Sequence, residues 1–431
     1  MTASPWAYIP TLYLAEGFPY IIINTVSVLL YAQLGYSNEQ ITLWTGWLYL
    51  PWVLKMFWSP LVDARSTKRR WLIGAQIAMS AVLLAIAGLV CWHGISAATT
   101  QWSFFTLSLL GFLIGAFVSA TLDIATDGYY LLALSSQQQG YFVGIRTIFY
   151  RIAMILGSGL LVSATGYVGK HIVLPPFHWA VFFGALALFF AGCALYHNLT
   201  LPKPAQDHPV KVSQTHAWKE AFGSYFTQEN IVQILLFILL YRFGEALLEK
   251  TVPLFLLKPV EQGALGMSMQ NYGLIKGTLG LGAIIVGNLA GGYLLGKVGF
   301  KKCIWPFAIA LVLPNIFYIY LAVARPGLAT IATLITLENL GYGLAMMALT
   351  VFIMYVSQGS FKTSHYAIST GIMALGMMVP SMLSGKLQAL LGYANFFTVA
   401  FLISLVTFAI VPICFKIKAI DQAENNRKDS L

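Results

Sequence analysis

Long runs of apolar residues separated by short polar segments extend along the chain to about residue 416. A run of about 20 apolar residues is long enough to cross a bilayer as a helix. Several runs are longer than this, which allows the helices to tilt. The pattern predicts an all-α membrane protein with twelve membrane-spanning helices, at about 6–33, 39–60, 71–92, 102–127, 141–165, 178–200, 229–256, 269–296, 303–324, 328–356, 364–391 and 395–416.

The longest polar stretch follows the sixth predicted span and separates six helices from six more. We therefore expect four regions: an N-terminal bundle at 1–200, a cytoplasmic linker at 201–228, a second bundle at 229–416 and a polar cytoplasmic tail at 417–431. One face of a short amphipathic helix in the linker carries Trp218, Phe222, Tyr225 and Phe226. This helix either lies on the inner membrane surface or packs against the bundle.

Composition supports a membrane protein, because 58% of the residues are hydrophobic and only 9% are charged. Soluble domains carry about 25% charged residues. The formal net charge of +10 would suggest a nucleic-acid partner in a soluble protein. Here the basic residues lie in short loops between apolar runs, where they report topology and attraction to anionic lipid. We therefore expect the lipid bilayer, and no nucleic acid, as a partner.

The basic residues in the loops also predict the orientation of the chain. With both termini in the cytoplasm, fifteen Lys and Arg residues fall on the inner side, and three fall outside, namely Lys170, Lys258 and Arg325. This imbalance predicts a multi-pass protein of the inner membrane. The first run has no basic segment before it and contains Glu16 and Pro19, so we expect it to be retained as a helix.

Charged and polar residues inside the apolar runs are candidates for a binding site, because a charge at the bilayer centre costs about 3 kcal/mol on insertion scales. Glu16 lies near the middle of the first span, beside Gly17 and Pro19. It could bind a proton or a cationic part of a substrate, or be a structural group that is neutral or paired. The predicted substrate- or proton-binding set is Glu16, Arg242, Glu245, Lys276, Glu338 and Asn339.

Five members of this set come from spans seven, eight and ten. Arg242, Glu245 and Glu249 form a charged stripe that faces a cavity or the other half, with Glu249 nearer the outer mouth. Arg242 can pair with Glu245 along the helix. Arginine can hold a carboxylate or a phosphate through two hydrogen bonds. Lys276 could face this stripe from across the bundle, and Glu338 lies near the middle of the tenth span.

A second group of charges lies near the inner ends of the spans, where acids and bases at similar depth are expected to neutralise one another. These residues form either a fixed clasp between helices or a gate that opens and closes, because an unpaired buried charge is costly. Lys55 and Arg151 could also reach a large anionic ligand. The group comprises Lys55, Asp63, Arg65, Asp123, Asp127, Arg146 and Arg151.

Several kinds of enzyme site are missing from the sequence. It has no metal-ligand cluster, no Gly-rich phosphate loop and no nucleophile elbow, and its four cysteines lack metal-ligand spacing. We therefore expect no catalytic residue, no metal and no cofactor, and no direct use of ATP. A membrane enzyme and a channel remain alternatives to a transporter of a small-molecule substrate.

The two halves of the sequence share a basic turn. It follows the second predicted span, at 59–65, and the eighth, at 291–302, where the sequence reads GGYLLGKVGFKK. The second copy resembles the signature of the major facilitator superfamily, whereas the first keeps Asp63 and Arg65 but has Ser59 and Pro60 where glycines would stand. The resemblance implies two pseudo-symmetric six-helix bundles around a midplane site, ion-pair gates on the inner side and a monomer.

A narrower resemblance is to the AmpG-like family of muropeptide permeases. It is carried by the segments 16–19 (EGFP), 50–63 (LPWVLKMFWSPLVD), 120–129 (ATLDIATDGY) and 150–154 (YRIAM). The family resemblance implies import of an anhydro-muropeptide, or of a related amino-sugar or peptide. We expect a symporter with a proton as the coupling ion, and sodium is the alternative ion. Siderophore permeases and acetyl-CoA transporters share versions of segment 50–63, so a siderophore or acyl-CoA permease remains an alternative.

Overall fold

The computed structural model describes residues 4–95, 101–134, 136–171, 176–209, 220, 222–357 and 362–422. Every regular element in these ranges is a helix, so the prediction of an all-α protein is confirmed there. The side chain of Asp63, one of the predicted gating residues, lies outside the description, as do Trp218 and most of the predicted tail.

In the first half of the chain, several neighbouring helices join without a break in the helical backbone. Within the described ranges the helices of this half are α1 (Ile9–Ile21), α2 (Ser27–Gln33), α3 (Asn38–Gly46), α4 (Leu50–Arg65), α5 (Lys68–Ile95), α6 (Gln101–Ala133), α7 (Ser136–Ile155), α8 (Leu161–His171) and α9 (Phe177–Thr200). A π-helical turn at Ile22–Val26 joins α1 to α2, and another at Leu156–Leu160 joins α7 to α8. Single π turns inside helices occur frequently at functional sites.

The helices of the second half are interrupted more often. They are α10 (Ile231–Leu240), α11 (Phe243–Leu257), α12 (Met269–Tyr272), α13 (Leu281–Val298), α14 (Phe300–Val312), α15 (Ile316–Ala324), α16 (Leu328–Val356), α17 (Lys362–Ser404) and α18 (Val406–Cys414). A π-helical segment at Gly273–Gly280 joins α12 to α13, and a 3₁₀ turn at Leu313–Asn315 joins α14 to α15.

Ten helical stretches in the described part of the chain are long and apolar enough to cross a membrane. One of them, His365–Cys414, is 50 residues long and contains Gly392 with φ 71°, where two helices meet. The stretch formed by α3 and α4 is helical but is not among the ten, and it is rich in Trp, Tyr and Thr, which have low hydropathy. The membrane fold agrees with the prediction, and the count of twelve spans stays a prediction.

The chain packs as two compact units. The first unit comprises residues 1–36, 47–212 and 268–278, and the second unit comprises 37–46, 213–267 and 279–431. Each unit therefore includes a segment from the opposite half of the sequence. In the second unit, α3 is held on α17 by Asn38, whose amide nitrogen donates to Gln388 at 2.6 Å and to Tyr393 at 2.7 Å. The predicted ends of the two six-helix bundles, at residues 200 and 229, stay a prediction.

Glycines allow close helix crossings within each unit. In the first unit, a Cβ atom at Gly277 would collide with the carbonyl oxygen of Ser158. In the second unit, a Cβ atom at Gly287 would collide with the carbonyl oxygen of Leu340. Both crossings bring backbones closer than any larger residue permits, as small residues do in membrane helices.

The apolar side chains of the second unit fall into an inner and an outer set. The inner set forms a core in which Phe237 stacks on Phe352 with ring centroids 4.1 Å apart. The outer set includes Leu289 and Val323, each 71% exposed. An apolar surface of this kind is compatible with lipid and costly in water.

The described part of the linker packs against the second unit. Residues 222–226 are helical, and the buried Tyr225 hydroxyl lies 2.9 Å from Ser369 Oγ on α17. Ser224 Oγ lies 2.9 Å from His365 Nε2 on the same helix. Tyr225 therefore packs against the helices of the bundle, which is one of the two alternatives for this amphipathic segment. Phe226, in contrast, is 47% exposed.

Candidate functional site

Glu16 lies at a close crossing of α1 and α7 in the first unit. A Cβ atom at the neighbouring Gly17 would be 2.5 Å from the carbonyl oxygen of Tyr150, so glycine is needed for α1 to approach α7. Glu16 itself is only 7% exposed. Its Oε2 atom is buried and has no hydrogen-bond partner among the described residues. An unsatisfied buried carboxylate oxygen is costly and therefore calls for a functional explanation.

Two ion pairs lie close to Glu16. Lys55 Nζ on α4 is 3.5 Å from Asp123 Oδ2 on α6, and the Trp52 side chain hydrogen-bonds to the same aspartate. Arg146 on α7 is 3.0 Å from Asp127 Oδ1, one turn further along α6. All four charged residues are near enough to Glu16 to interact with it electrostatically. We call Glu16, Lys55, Asp123, Asp127 and Arg146 the charge cluster.

Tyrosines tie the Asp127 end of the charge cluster together. The Tyr13 hydroxyl donates to Asp127 Oδ1 at 2.9 Å and accepts from Arg146 Nη1 at 3.0 Å. The guanidinium of Arg146 also lies 4.9 Å from the ring centroid of Tyr130, within the range of a cation–π contact. The two aspartates thus each have a cationic partner, whereas Glu16 is the acid of the cluster with an unsatisfied oxygen.

The structure brings together four of the seven residues predicted to form an inner ion-pair group, namely Lys55, Asp123, Asp127 and Arg146. Arg151 is half-buried on α7, and Arg65 is exposed at the end of α4. Acids and bases neutralise one another in both observed pairs. The choice between a fixed clasp and a gate stays a prediction.

In the second unit, the seventh predicted span is broken at Arg242. α10 ends at Leu240 and α11 begins at Phe243, and Arg242 adopts φ −115° and ψ 19°, outside the helical region. The Thr407 hydroxyl donates to the carbonyl oxygen of Tyr241 at 2.9 Å and so satisfies one of the groups that the break releases. The guanidinium of Arg242 donates to the Tyr342 hydroxyl and lies 5.0 Å from the centroid of that ring.

Two carboxylates of the second unit, Glu245 and Glu338, accept hydrogen bonds from neutral groups. Glu245 Oε1 accepts from Asn315 Nδ2 at 2.6 Å, and Asn315 belongs to the 3₁₀ turn between α14 and α15. Glu338 Oε2 accepts from the Tyr318 hydroxyl and from Asn339 Nδ2, both at 2.9 Å. We call Arg242, Glu245, Glu338 and Asn339, with their partners, the polar set.

The break puts Arg242 at the start of α11, where it contacts Tyr342, and Glu245 contacts Asn315. The pairing of Arg242 with Glu245 along the helix stays a prediction. Lys276 lies in the π-helical segment Gly273–Gly280 and is packed in the first unit. Its predicted position facing the stripe stays a prediction.

Sequence reasoning missed the aromatic and amide partners of these charges. Tyr13 contacts Asp127 and Arg146, and Tyr342 contacts Arg242, so both tyrosines lie on other helices than the charges that they contact. Asn315 and Tyr318 lie on other elements than the carboxylates that they contact, and no spacing in the sequence connects them. No group of three or more His, Cys, Asp or Glu side chains in the described ranges could hold a metal ion.

Comparison with known proteins gives a family and several relatives. A sequence profile of the Major Facilitator Superfamily matches residues 11–361. The anhydromuropeptide permease of Escherichia coli (strain K12) is 27% identical over 352 residues, which cover 80% of this chain and 67% of that protein. Putative transporter AmpG 4 of Rickettsia felis is 26% identical over 407 residues, 91% of this chain and 92% of the relative. The predicted resemblance to AmpG-like permeases is therefore confirmed.

Solved structures of transporters share the fold. A D-xylose-proton symporter superimposes with a TM-score of 0.71 at 12% identity, covering 94% of this chain and 97% of that one. The nucleoside transporter NupG gives a TM-score of 0.66 at 14% identity, covering 95% and 97%. At such low identity these similarities concern the fold alone.

Proposed function

The chain belongs to the major facilitator superfamily, and from that premise we propose that it is a proton-coupled symporter that imports an amphipathic organic solute by alternating access. The substrate that we propose is an anhydro-muropeptide or a related amino-sugar or peptide. We place the protein in the inner membrane as a monomer, with both termini in the cytoplasm. Fifteen basic residues in the predicted inner loops against three in the outer loops support that orientation.

The observation that carries proton coupling is the unsatisfied carboxylate oxygen of Glu16. A coupling group must bind its proton more tightly in one conformation than in another. Glu16 can gain a proton without breaking a hydrogen bond at Oε2, because that atom has no partner among the described residues. The neighbouring pairs Lys55–Asp123 and Arg146–Asp127 provide charges that change the proton affinity of Glu16 if the helices carrying them move.

The substrate class is supported by similarity and by the chemistry of the polar set. The Escherichia coli relative is named an anhydromuropeptide permease, and it covers 80% of this chain. A muropeptide carries peptide carboxylates and sugar hydroxyls. Arg242 is suited to hold a carboxylate through two hydrogen bonds, since the helix break presents its guanidinium beside Tyr342.

The test is uptake of labelled N-acetylglucosaminyl-anhydromuramyl peptide into proteoliposomes, with and without an inward proton gradient. We expect gradient-driven uptake by the natural protein and its loss in Glu16→Gln. Glu261→Gln, which changes an exposed acid in a loop, is the matched control and should keep full uptake.

Each outcome of this test discriminates between hypotheses. Uptake that is insensitive to the gradient, or that survives Glu16→Gln, would remove proton coupling through Glu16. Absence of uptake by protein shown to be folded would remove the muropeptide. A siderophore or acyl-CoA would then be tested in the same liposomes, because permeases for these solutes share versions of segment 50–63, and a membrane enzyme would be the remote alternative.

A further inference from the structure

Two cavities in the first unit share a lining residue, and no residue of the charge cluster lines either of them. The first, which we call the polar cavity, has a volume of about 380 Å³ and lies where α2, α8, α9 and α12 end or begin. The second, the apolar groove, has a volume of about 350 Å³ and runs between α8 and α9. Both volumes lie at the lower end of the range for small-molecule sites, roughly 300–1,000 Å³.

His178 lines both cavities and is the one described residue that they share. Its Nε2 atom is 3.1 Å from Gln33 Oε1, which also accepts a hydrogen bond from Trp179 Nε1 at 2.8 Å. Because two donors occupy this oxygen, the amide nitrogen of Gln33 is the group that can donate to a ligand. His178 is 4% exposed, and its Nδ1 atom is buried without a hydrogen-bond partner in the described part of the chain.

The polar cavity offers hydrogen-bond donors and one positive charge. Lys170 lines it at the end of α8, together with Ser268 and Gln270 at the start of α12. The Ser268 oxygen accepts from the backbone nitrogen of Asn271 at 3.2 Å, so its hydroxyl hydrogen remains able to donate. None of the described residues that line the cavity is acidic. A cavity with this set of groups complements an anion, and a phosphate most simply.

The apolar groove lies on the membrane-facing surface of the first unit. α8 and α9 belong to two of the stretches that can cross a membrane, Ile145–His171 and Phe177–Thr200. The groove is lined by aliphatic and aromatic side chains, such as Leu161, Val168 and Phe189. Val181 in its wall is 53% exposed, so the groove opens to the surroundings of the helices, which in a membrane are acyl chains.

We propose that the polar cavity and the apolar groove together bind one phospholipid molecule, with its phosphate against Lys170 and Gln33 and one acyl chain between α8 and α9. A polar cavity at the end of two membrane helices and an apolar groove between the same helices, with His178 in the lining of both, have the arrangement of a headgroup followed by a chain. The occupant is a membrane lipid rather than a free phosphate, because the groove adds apolar burial that a free ion cannot use. This site is independent of the transported solute.

The experiment is native mass spectrometry of the purified full-length protein titrated with phosphatidylglycerol. Two further probes separate the parts of the ligand: diacylglycerol with the same chains lacks the phosphate, and glycerol 3-phosphate lacks the chains. We expect one tightly bound phosphatidylglycerol and no comparable binding of either fragment. Lys170→Ala and Ala185→Phe, which fills the groove from its exposed wall, should each weaken binding about tenfold.

Matched controls keep the proposal falsifiable. Lys203→Ala removes an exposed charge outside both cavities, and Ala191→Phe adds a ring to an exposed position of α9 beyond the groove. Both should bind phosphatidylglycerol like the natural protein, and size-exclusion chromatography checks that all four variants are folded. The proposal is overturned if Lys170→Ala or Ala185→Phe binds normally, if a control variant loses binding, or if either fragment binds as tightly as the lipid.

Discussion

The charge cluster of the first unit and the polar set of the second unit differ in the groups that are seen to contact their carboxylates. In the first unit, Asp123 and Asp127 each face a cation, at 3.5 Å and 3.0 Å, and Glu16 keeps one oxygen unsatisfied among the described residues. In the second unit, Glu245 and Glu338 accept hydrogen bonds from neutral amide and phenol groups. Protonating Glu338 at Oε2 would displace a donor, whereas protonating Glu16 at Oε2 would displace none.

This contrast suggests a division of labour. In a partly buried ion pair, a change in the charge of one partner alters the electrostatic energy of the other. A carboxylate that accepts hydrogen bonds from neutral donors has its position defined by them and can position a bound solute. We therefore assign proton coupling to the charge cluster and solute contact to the polar set, as parts of the proposed function that can be separated by mutation.

The largest effect is expected from removing the proton site while leaving the solute site intact. Glu16→Gln should reduce gradient-driven accumulation to the level of protein-free liposomes. It should keep solute exchange between equal concentrations, since exchange needs no net proton movement. Glu338→Gln retains an acceptor oxygen for Tyr318 and Asn339 and should keep accumulation within about threefold of the natural protein. Counterflow and uptake in the same liposomes measure both quantities.

The division of labour fails if the two variants behave alike. Equal loss of accumulation in Glu16→Gln and Glu338→Gln would put both units in the proton path. Loss of exchange as well as accumulation in Glu16→Gln would mean that Glu16 is needed for the conformational change or for binding the solute.

The second effect concerns the stability of the ion pairs. Asp123→Asn leaves Lys55 without its counter-ion. Because the Asp123 side chain is only 14% exposed, this change should lower the free energy of unfolding by roughly 2 kcal/mol. Asp127→Asn should cost less, about 1 kcal/mol or below, because Asp127 is 52% exposed. Denaturation midpoints measured in detergent show which of the two variants is less stable.

A double variant sharpens this comparison. Lys55→Met combined with Asp123→Asn removes both charges and should recover most of the stability that Asp123→Asn loses. A double variant that is less stable than the single one would show that Lys55 has another role than to neutralise Asp123.

Third, Arg242→Lys should weaken solute binding while leaving proton coupling in place. Lysine keeps the charge but not the planar group that contacts the Tyr342 ring and can hold a carboxylate through two bonds. We expect the half-saturating solute concentration to rise about tenfold, with unchanged dependence on the proton gradient. Arg325→Lys, at a left-handed position with φ 45° between α15 and α16, is the control and should leave uptake unchanged. The opposite pattern, normal affinity with lost coupling, would exchange the roles of the two units.

The long apolar runs were sufficient to predict the membrane fold, because a segment that crosses a bilayer satisfies its backbone hydrogen bonds internally by forming a helix. The pairing of Lys55 with Asp123 was also predictable, since an acid and a base at similar depth are both too costly to leave alone. The break at Arg242 could not be predicted from its own sequence. One group at the break, the carbonyl oxygen of Tyr241, accepts its hydrogen bond from Thr407, which is distant in the chain.

The smallest effect is expected from removing one of the two neutral donors at Glu338. Tyr318→Phe deletes the hydroxyl bonded to Glu338 Oε2, but Asn339 Nδ2 still donates to the same oxygen at 2.9 Å. The free energy of unfolding should therefore fall by about 1 kcal/mol, and uptake should be unchanged. Tyr320→Phe is the control, because Tyr320 lies on the same helix and is 49% exposed. If Tyr318→Phe instead abolished gradient-driven accumulation, the hydrogen bonds at Glu338 would belong to the proton path, and neutral donors would no longer distinguish a positioning unit from a titrating one.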